Sequence, residues 1–435
     1  MNQDGTPTGT AGGPSASPRA LADIFPGFAK IGLLSFGGPA AQIAVMHRVL
    51  VEENNWLSER QFLNALNFCM LLPGPEAMQL TTYAGWRLRG VPGGLMAGLL
   101  FVVPGAAVML ALAAIYGFFG AVPLVSALFL GIKAAVLVVV IEALLKVARR
   151  ALTAAVYWLI AGLAFVAIFF FAVPFPLVVL AAAAYGFLRG GDTAVEAAAT
   201  APISPLSTLR TVVLWGVIWW LPVIIVDQAL GLTLLTEIGV FFSKLAVVTF
   251  GGAYAVLTYM AQEVVSDFGW LDAGEMMDGL GLAETTPGPL ILVTQFVGFL
   301  AGFKNGGLGV AVIAAVLTLW VTFAPCFLWI FAGAPYIERI AAQPRLSGAL
   351  TAITAAVVGV ILNLSLWFAL HVAFGSVAAR DFGPLTLWWP DWATVDWRVI
   401  GLALAAAVLL LKLRWGVPTV LALAAAAGLA LSYLA

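Results

Sequence analysis

The chain has 435 residues, of which 63% are hydrophobic and only 9% charged, with a net charge of −1. Soluble domains carry about 25% charged residues, so this composition excludes an ordinary soluble enzyme and leaves an integral membrane protein. No basic tract offers a nucleic-acid partner, and two cysteines in apolar segments, Cys69 and Cys326, exclude a disulfide framework.

Residues 1–19 are rich in Gly, Ser, Thr, Pro and Ala, lack an apolar core, and read as a disordered tail with no cleavable signal. A bilayer core about 30 Å thick takes roughly 20 apolar residues per helix. On that measure, spans are expected at about 25–50, 58–88, 93–119, 124–145, 152–172 and 176–188. A small, polar, Pro-containing stretch at 190–208 reads as a linker. Spans follow at about 209–229, 238–260, 274–303, 308–331, 347–374, 399–413 and 417–434. Trp388, Trp389, Trp392 and Trp397 form an aromatic interfacial stretch before the twelfth.

The first span is broken by Ser35-Phe36-Gly37-Gly38-Pro39 and the second by Pro73-Gly74-Pro75. Proline removes a backbone donor, and paired glycines permit unwound backbone. Unwound backbone at membrane depth is tolerated where it is buried in protein or lines a polar cavity. Both breaks recur. One constant offset lays Phe28 on Phe242, Lys30 on Lys244, Ser35 on Thr249, and Phe36-Gly37-Gly38 on Phe250-Gly251-Gly252. The same offset lays Trp56-Leu57 on Trp270-Leu271 and Pro73-Gly74-Pro75 on Pro287-Gly288-Pro289. About 14 identities fall in roughly 48 gap-free positions, which marks an internal duplication.

Lys and Arg placement puts the N-terminus on the cytoplasmic side when each broken segment crosses once. Six spans then precede the linker and one follows it, so the second repeat enters the membrane upside down, as in secondary transporters. The expected fold is an all-α integral membrane protein of about thirteen spans. It comprises a first repeat at 20–190, a cytoplasmic linker and linking span at 191–237, and a second, inverted repeat at 238–435. If the Pro-Gly-Pro segments are re-entrant hairpins, the span count falls.

A broken helix exposes the N–H groups and positive dipole end of a half-helix, which favour an anion. The candidate cradle is Ser35, Phe36, Gly37, Gly38, Gln42, Gly74 and Gln79 in the first repeat, and Thr249, Gly251, Gly252, Gly288 and Gln295 in the second. Gly and Pro also permit close helix packing or kinks, but two different breaks duplicated at one spacing favour a site. Lys30 and Lys244, five residues before each hydroxyl, are placed to add positive field, with snorkelling to the interface as the alternative. Glu76 and Glu284 flank the Pro-Gly-Pro breaks and are the candidates for proton coupling, with helix capping as the alternative. Lys133 and Glu142 lie within one span, paired or at the lipid edge. Asp278 belongs with Glu263, Asp267, Asp272 and Glu275 to an expected solvated loop and first turn. His47 and His371 read as interfacial or structural.

At these residues the chain resembles the chromate ion transporter family in its long, duplicated form. The resemblance rests on Ser-Phe-Gly-Gly-Pro-Ala-Ala-Gln-Ile-Ala-Val-Met-His at 35–47 and Met-Leu-Leu-Pro-Gly-Pro-Glu-Ala at 70–77. In the second half it rests on Thr-Phe-Gly-Gly-Ala-Tyr-Ala-Val-Leu at 249–257 and Ala-Glu-Thr-Thr-Pro-Gly-Pro-Leu at 283–290. It implies export of chromate across a bacterial-type inner membrane, giving chromate resistance, with sulfate as the chemical relative. A sulfate or other oxyanion permease of the same architecture remains the alternative, since the two ions share charge and shape. Export suits a dianion, which gains about 2.3 kcal/mol per charge per 100 mV on leaving a negative cytoplasm. No Walker-type loop and no cofactor motif is present. A membrane-embedded enzyme would need a nucleophile or metal set that two peripheral histidines do not provide. The apolar surface suits the lipid bilayer or a second copy alike, so a homodimer stays open.

Overall fold

The structure, a computed structural model, describes residues 20–36, 38–120, 122–190, 205–250, 253–337 and 343–433. The expected tail and most of the expected linker lie outside these residues, as do Gly37, Gly251 and Gly252. Seven helices make up the first half: α1 (Leu21–Leu34), α2 (Pro39–His47), α3 (Glu59–Leu71), α4 (Glu76–Phe119), α5 (Pro123–Ala151), α6 (Ala155–Phe171) and α7 (Phe175–Arg189). After α8 (Pro205–Leu230) the order resumes with α9 (Thr233–Val248), α10 (Ala253–Gln262), α11 (Ala273–Thr285), α12 (Val293–Gly333), α13 (Pro344–Ala373), α14 (Trp397–Ala407) and α15 (Val417–Ser432).

Local chemistry places the boundaries of the two halves alike. Ser58 and Asp272 open α3 and α11 with capping boxes, closed by Gln61 and Glu275. A π-helical turn follows α2 at Arg48–Glu53 and follows α10 at Glu263–Asp267. Gly74 and Gly288 take φ of 111° and 89° at the Pro-Gly-Pro turns, a region that favours glycine.

Five described stretches are long and apolar enough to cross a membrane: Glu76–Phe119, Pro123–Ala151, Pro205–Leu230, Leu290–Tyr336 and Pro344–Ala373. Two of them double back. Arg89 and Gly90 leave helical geometry inside α4, and Gly307 does so inside α12. Gly85 consequently lies against the backbone of Gly93, and Gly298 against Thr318. Eight residues of straight helix would separate the first pair by about 12 Å.

The breaks fold back as well. Lys30 on α1 hydrogen-bonds Glu53, beyond α2, at 2.8 and 2.9 Å, and the rings of Phe28 and Trp56 lie 5.5 Å apart. In the second half, Phe242 on α9 stacks with Trp270, beyond α10. Glu275, in the first turn of α11, pairs with Lys304, near the turn of α12, and Gly279 lies against the Phe296 ring. These segments are therefore helical hairpins rather than the single crossings that a count of about thirteen spans assumes. A 13-residue arm such as α3 or α11 is about 20 Å long, too short to span a bilayer core.

The helices pack across the two halves, α4 against α12, α5 against α13 and α15, and α7 against α13. Small residues let backbones approach, as where Gly186 meets Gly348 and Gly428 meets Ala127. The helical expectation misses one element. β1 (Val377–Phe382) and β2 (Leu385–Pro390) form an antiparallel hairpin turned at Gly383, with the Arg380 guanidinium 5.1 Å from the centre of the Trp389 ring.

Candidate functional site

Each glycine break meets the Pro-Gly-Pro turn of the other half. The Gly288 N–H donates to the Ser35 carbonyl at 2.7 Å, and Phe36 forms an antiparallel bridge with Pro287. The Gly74 N–H donates to the Thr249 carbonyl at 2.9 Å. Under the offset that relates the halves, Ser35 corresponds to Thr249 and Gly74 to Gly288, so these two hydrogen bonds are counterparts. The Gln42 side-chain amide adds a buried bond to the Gly288 carbonyl at 2.8 Å. Extended backbone has no internal partner for its polar groups, and this exchange satisfies part of it.

The starts of α2 and α4, and the 3₁₀ turn Leu290–Leu292 that leads into α12, directly follow these paired segments. No side chain caps α2, α4 or that turn. Pro39 has no N–H, and the N–H groups of Ala41 and Leu292 donate to the Gly38 and Pro289 carbonyls, so what these starts offer another partner is chiefly their positive dipole ends. The Ser35 hydroxyl is buried without a hydrogen-bond partner among the described residues, and so is one amide oxygen of Gln79 and of Gln295. Phe36 is exposed, next to the fully buried Ser35.

The other expected site residues divide. Thr249 is buried, but its hydroxyl donates to the Leu245 carbonyl at 2.6 Å. The Gln79 amide donates to the Pro73 carbonyl at 2.6 Å and braces its own turn. Glu284 is buried and accepts from the Tyr254 hydroxyl at 2.8 Å, with Tyr254 in the first turn of α10. Glu76 is the first residue of α4 and partly buried. The two lysines have other partners: Lys30 is held by Glu53, which Arg48 also approaches at 3.7 Å, and the exposed Lys244 sits over the Tyr259 ring at 5.7 Å.

Sequence reasoning missed the burial of Asp278. It lies inside α11, bonded to Tyr116 and Lys133, rather than in a solvated first turn. The signal was available: Asp272-Ala273-Gly274-Glu275 has the spacing of a capping box, which places the helix start at Ala273 and Asp278 in its second turn. Tyr254 corresponds to Ala40 in the first half, so the repeat pattern gave no reason to select it. Glu142 pairs with Lys146 at 2.6 Å.

Comparison with known proteins agrees with the duplicated pattern. The family model described as "Chromate transporter" matches residues 22–187 and again 236–429. The chain is 33% identical over 352 residues to the chromate transport protein of Pseudomonas aeruginosa, covering 79% of this chain and 80% of that one. It is 31% identical over 335 residues to a probable chromate transport protein of Synechococcus elongatus, covering 77% and 81%. It is 30% identical over 373 residues to the chromate transport protein of Cupriavidus metallidurans, covering 83% and 86%. No solved structure matches. The two matched segments cover most of the chain and coincide with the two halves of the structure, and on that ground the protein belongs to the chromate transporter family, as a multi-pass membrane protein.

Proposed function

We propose that the chain is a secondary transporter, not an enzyme, that exports chromate from the cytoplasm across an inner membrane and so confers chromate resistance. The observation that carries this reading is the junction where Ser35 meets Gly288 and Thr249 meets Gly74. Uncapped helix starts adjoin both pairings, and the buried, partnerless oxygens of Ser35 and Gln79 stand beside them, which suits a tetrahedral oxyanion. Relatives named as chromate transport proteins supply the choice of ion. The proposed cradle is Ser35, Gly38, Gln42, Gly74, Gln79, Gly288 and Gln295, with Thr249 through its backbone and Gly37, Gly251 and Gly252 from the sequence pattern. Glu76 and Glu284 would link protonation to anion binding.

The halves at 20–190 and 238–435 are read as inverted repeats. An odd number of passages separates them in this reading: the outgoing arm of α4, then α5, α6, α7 and α8. An odd number reverses direction, so the inversion holds even with hairpins at the breaks. Lys146, Arg149, Arg150, Arg189, Arg210, Arg345, Lys412 and Arg414 fall on one side with hairpins at the breaks, as they do with crossings, and this bias favours a cytoplasmic N-terminus. The membrane potential alone favours export of a dianion by roughly 4.6 kcal/mol at 100 mV, about three orders of magnitude at equilibrium.

Counterflow in proteoliposomes tests the reading. Vesicles loaded with unlabelled chromate are expected to accumulate labelled chromate well above empty vesicles, with sulfate, molybdate and phosphate as competitors. An inside-negative potential is expected to slow uptake. Chromate flux equal to that of empty vesicles overturns the substrate, and stronger competition by sulfate than by chromate favours the permease alternative.

A further inference from the structure

A second polar cluster lies apart from the oxyanion junction. Asp278, on α11, has a side chain only 4% exposed. The Tyr116 hydroxyl donates to its Oδ2 at 2.6 Å, and Lys133 Nζ lies 3.3 Å from the same oxygen. Its Oδ1 is buried and has no hydrogen-bond partner among the described residues. One oxygen thus carries both donors while the other has none. A carboxylate this deep in a membrane protein is costly unless it is paired or functional, and here the pairing is half complete. A proton on Oδ1 removes the unsatisfied charge and leaves both donors on Oδ2.

The cluster also has a polar route to the surface. Lys133 is partly exposed, and a Cβ at Gly274 would lie 2.9 Å from its Nζ and 3.1 Å from Asp272 Oδ1, so the glycine leaves room for the ammonium beside the first turn of α11. Asp272, Glu275 and Lys304 stand at that open end of the hairpin. These, with Tyr116 from α4 and Lys133 from α5, are the charged and titratable groups around Asp278. α12 brings Phe296 against Tyr116, α15 has no ionisable side chain, and those described on α13 are Arg345 and His371, towards its ends. The first half has Asn64 at the matching position, so the charge exists once per chain.

We propose that Asp278, gripped by Tyr116 and Lys133, is a proton-binding site of the transport cycle, separate from the oxyanion junction. A proton from water at the open end of the hairpin bonds to Oδ1 and is released when the site is exposed to the other side. The inference rests on the transporter reading and adds a proton beyond any taken at Glu284.

The test uses the full chain in proteoliposomes with a trapped pH dye, with voltage clamped by potassium and an ionophore. Wild type is expected to move protons with chromate. Asp278→Asn is expected to keep chromate exchange within about threefold of wild type but to move about one proton fewer per chromate. Tyr116→Phe removes a donor that favours the ionised form, so proton uptake shifts to higher pH. It decides the question if Asp278→Asn does not fold. An unchanged proton ratio in Asp278→Asn, or an unchanged pH profile in Tyr116→Phe, overturns the proposal. A wild type that carries chromate without protons overturns it while sparing the transporter reading. A wild type that carries no chromate removes both.

Discussion

Replacing Gly288 with alanine is expected to lower chromate counterflow at least tenfold. Gly288 sits at φ 89°, where a side chain costs about 1–3 kcal/mol. An added Cβ would lie 3.2 Å from Leu292 Cδ1 and 3.4 Å from the Phe101 carbonyl oxygen, so relief requires the turn to move. That turn donates to Ser35 and accepts from Gln42, and a shift breaks the link between the halves. A strain of about 1.4 kcal/mol is worth a factor of ten in an equilibrium. Gly74→Ala is the matching change, at φ 111°, with Gln79 Nε2 at 3.0 Å and Cys326 Sγ at 3.2 Å from the new carbon. Gly162→Ala, in open space on α6, controls for loss of glycine alone and is expected to stay within about twofold of wild type. Counterflow with thermal unfolding in detergent separates lost transport from lost folding. Wild-type flux in both turn variants would detach the turns from the site.

Glu284→Gln is expected to reduce the pH dependence of chromate affinity to the share carried by Glu76. Glu284 is buried, and the Tyr254 hydroxyl ties it to the first turn of α10. An ionised carboxylate beside the junction repels a dianion, and a protonated one does not. Wild-type affinity therefore weakens as pH rises. Glutamine is neutral at every pH, so the variant binds chromate more tightly than wild type at alkaline pH, by about tenfold for each 1.4 kcal/mol of repulsion removed. Binding titrations across pH check this. Parallel pH profiles for variant and wild type would remove Glu284 from the linkage.

Much of the geometry of the candidate site was legible because glycine and proline carry their backbone consequences in their identities. Ser35-Phe36-Gly37-Gly38-Pro39 and Pro287-Gly288-Pro289 mark breaks wherever they occur, and one offset pairs them. What the offset cannot say is that Ser35 bonds Gly288 rather than its own Gly74, because pairing across the halves leaves no period in the chain. Hydropathy likewise counts apolar residues without direction, so the hairpin closed by Lys30 and Glu53 read as a crossing. The same blindness made Lys30 look like a membrane cation when its partner stands 23 residues away. The strand pair at Val377–Phe382 and Leu385–Pro390 was hidden inside a run read for its tryptophans, although Gly383-Pro384 marks a turn there.

In the proposed function the breaks of both halves hold one oxyanion between them. A density map of the purified protein with bound chromate, phased or checked by the anomalous signal of chromium, tests it most directly. One tetrahedral density is expected within hydrogen-bond distance of the Ser35 hydroxyl, between the start of α2 and the Gly288 turn. Chromium bound instead in the cleft lined by Thr258, Asn363 and Trp388, or at the exposed lysines, would contradict it.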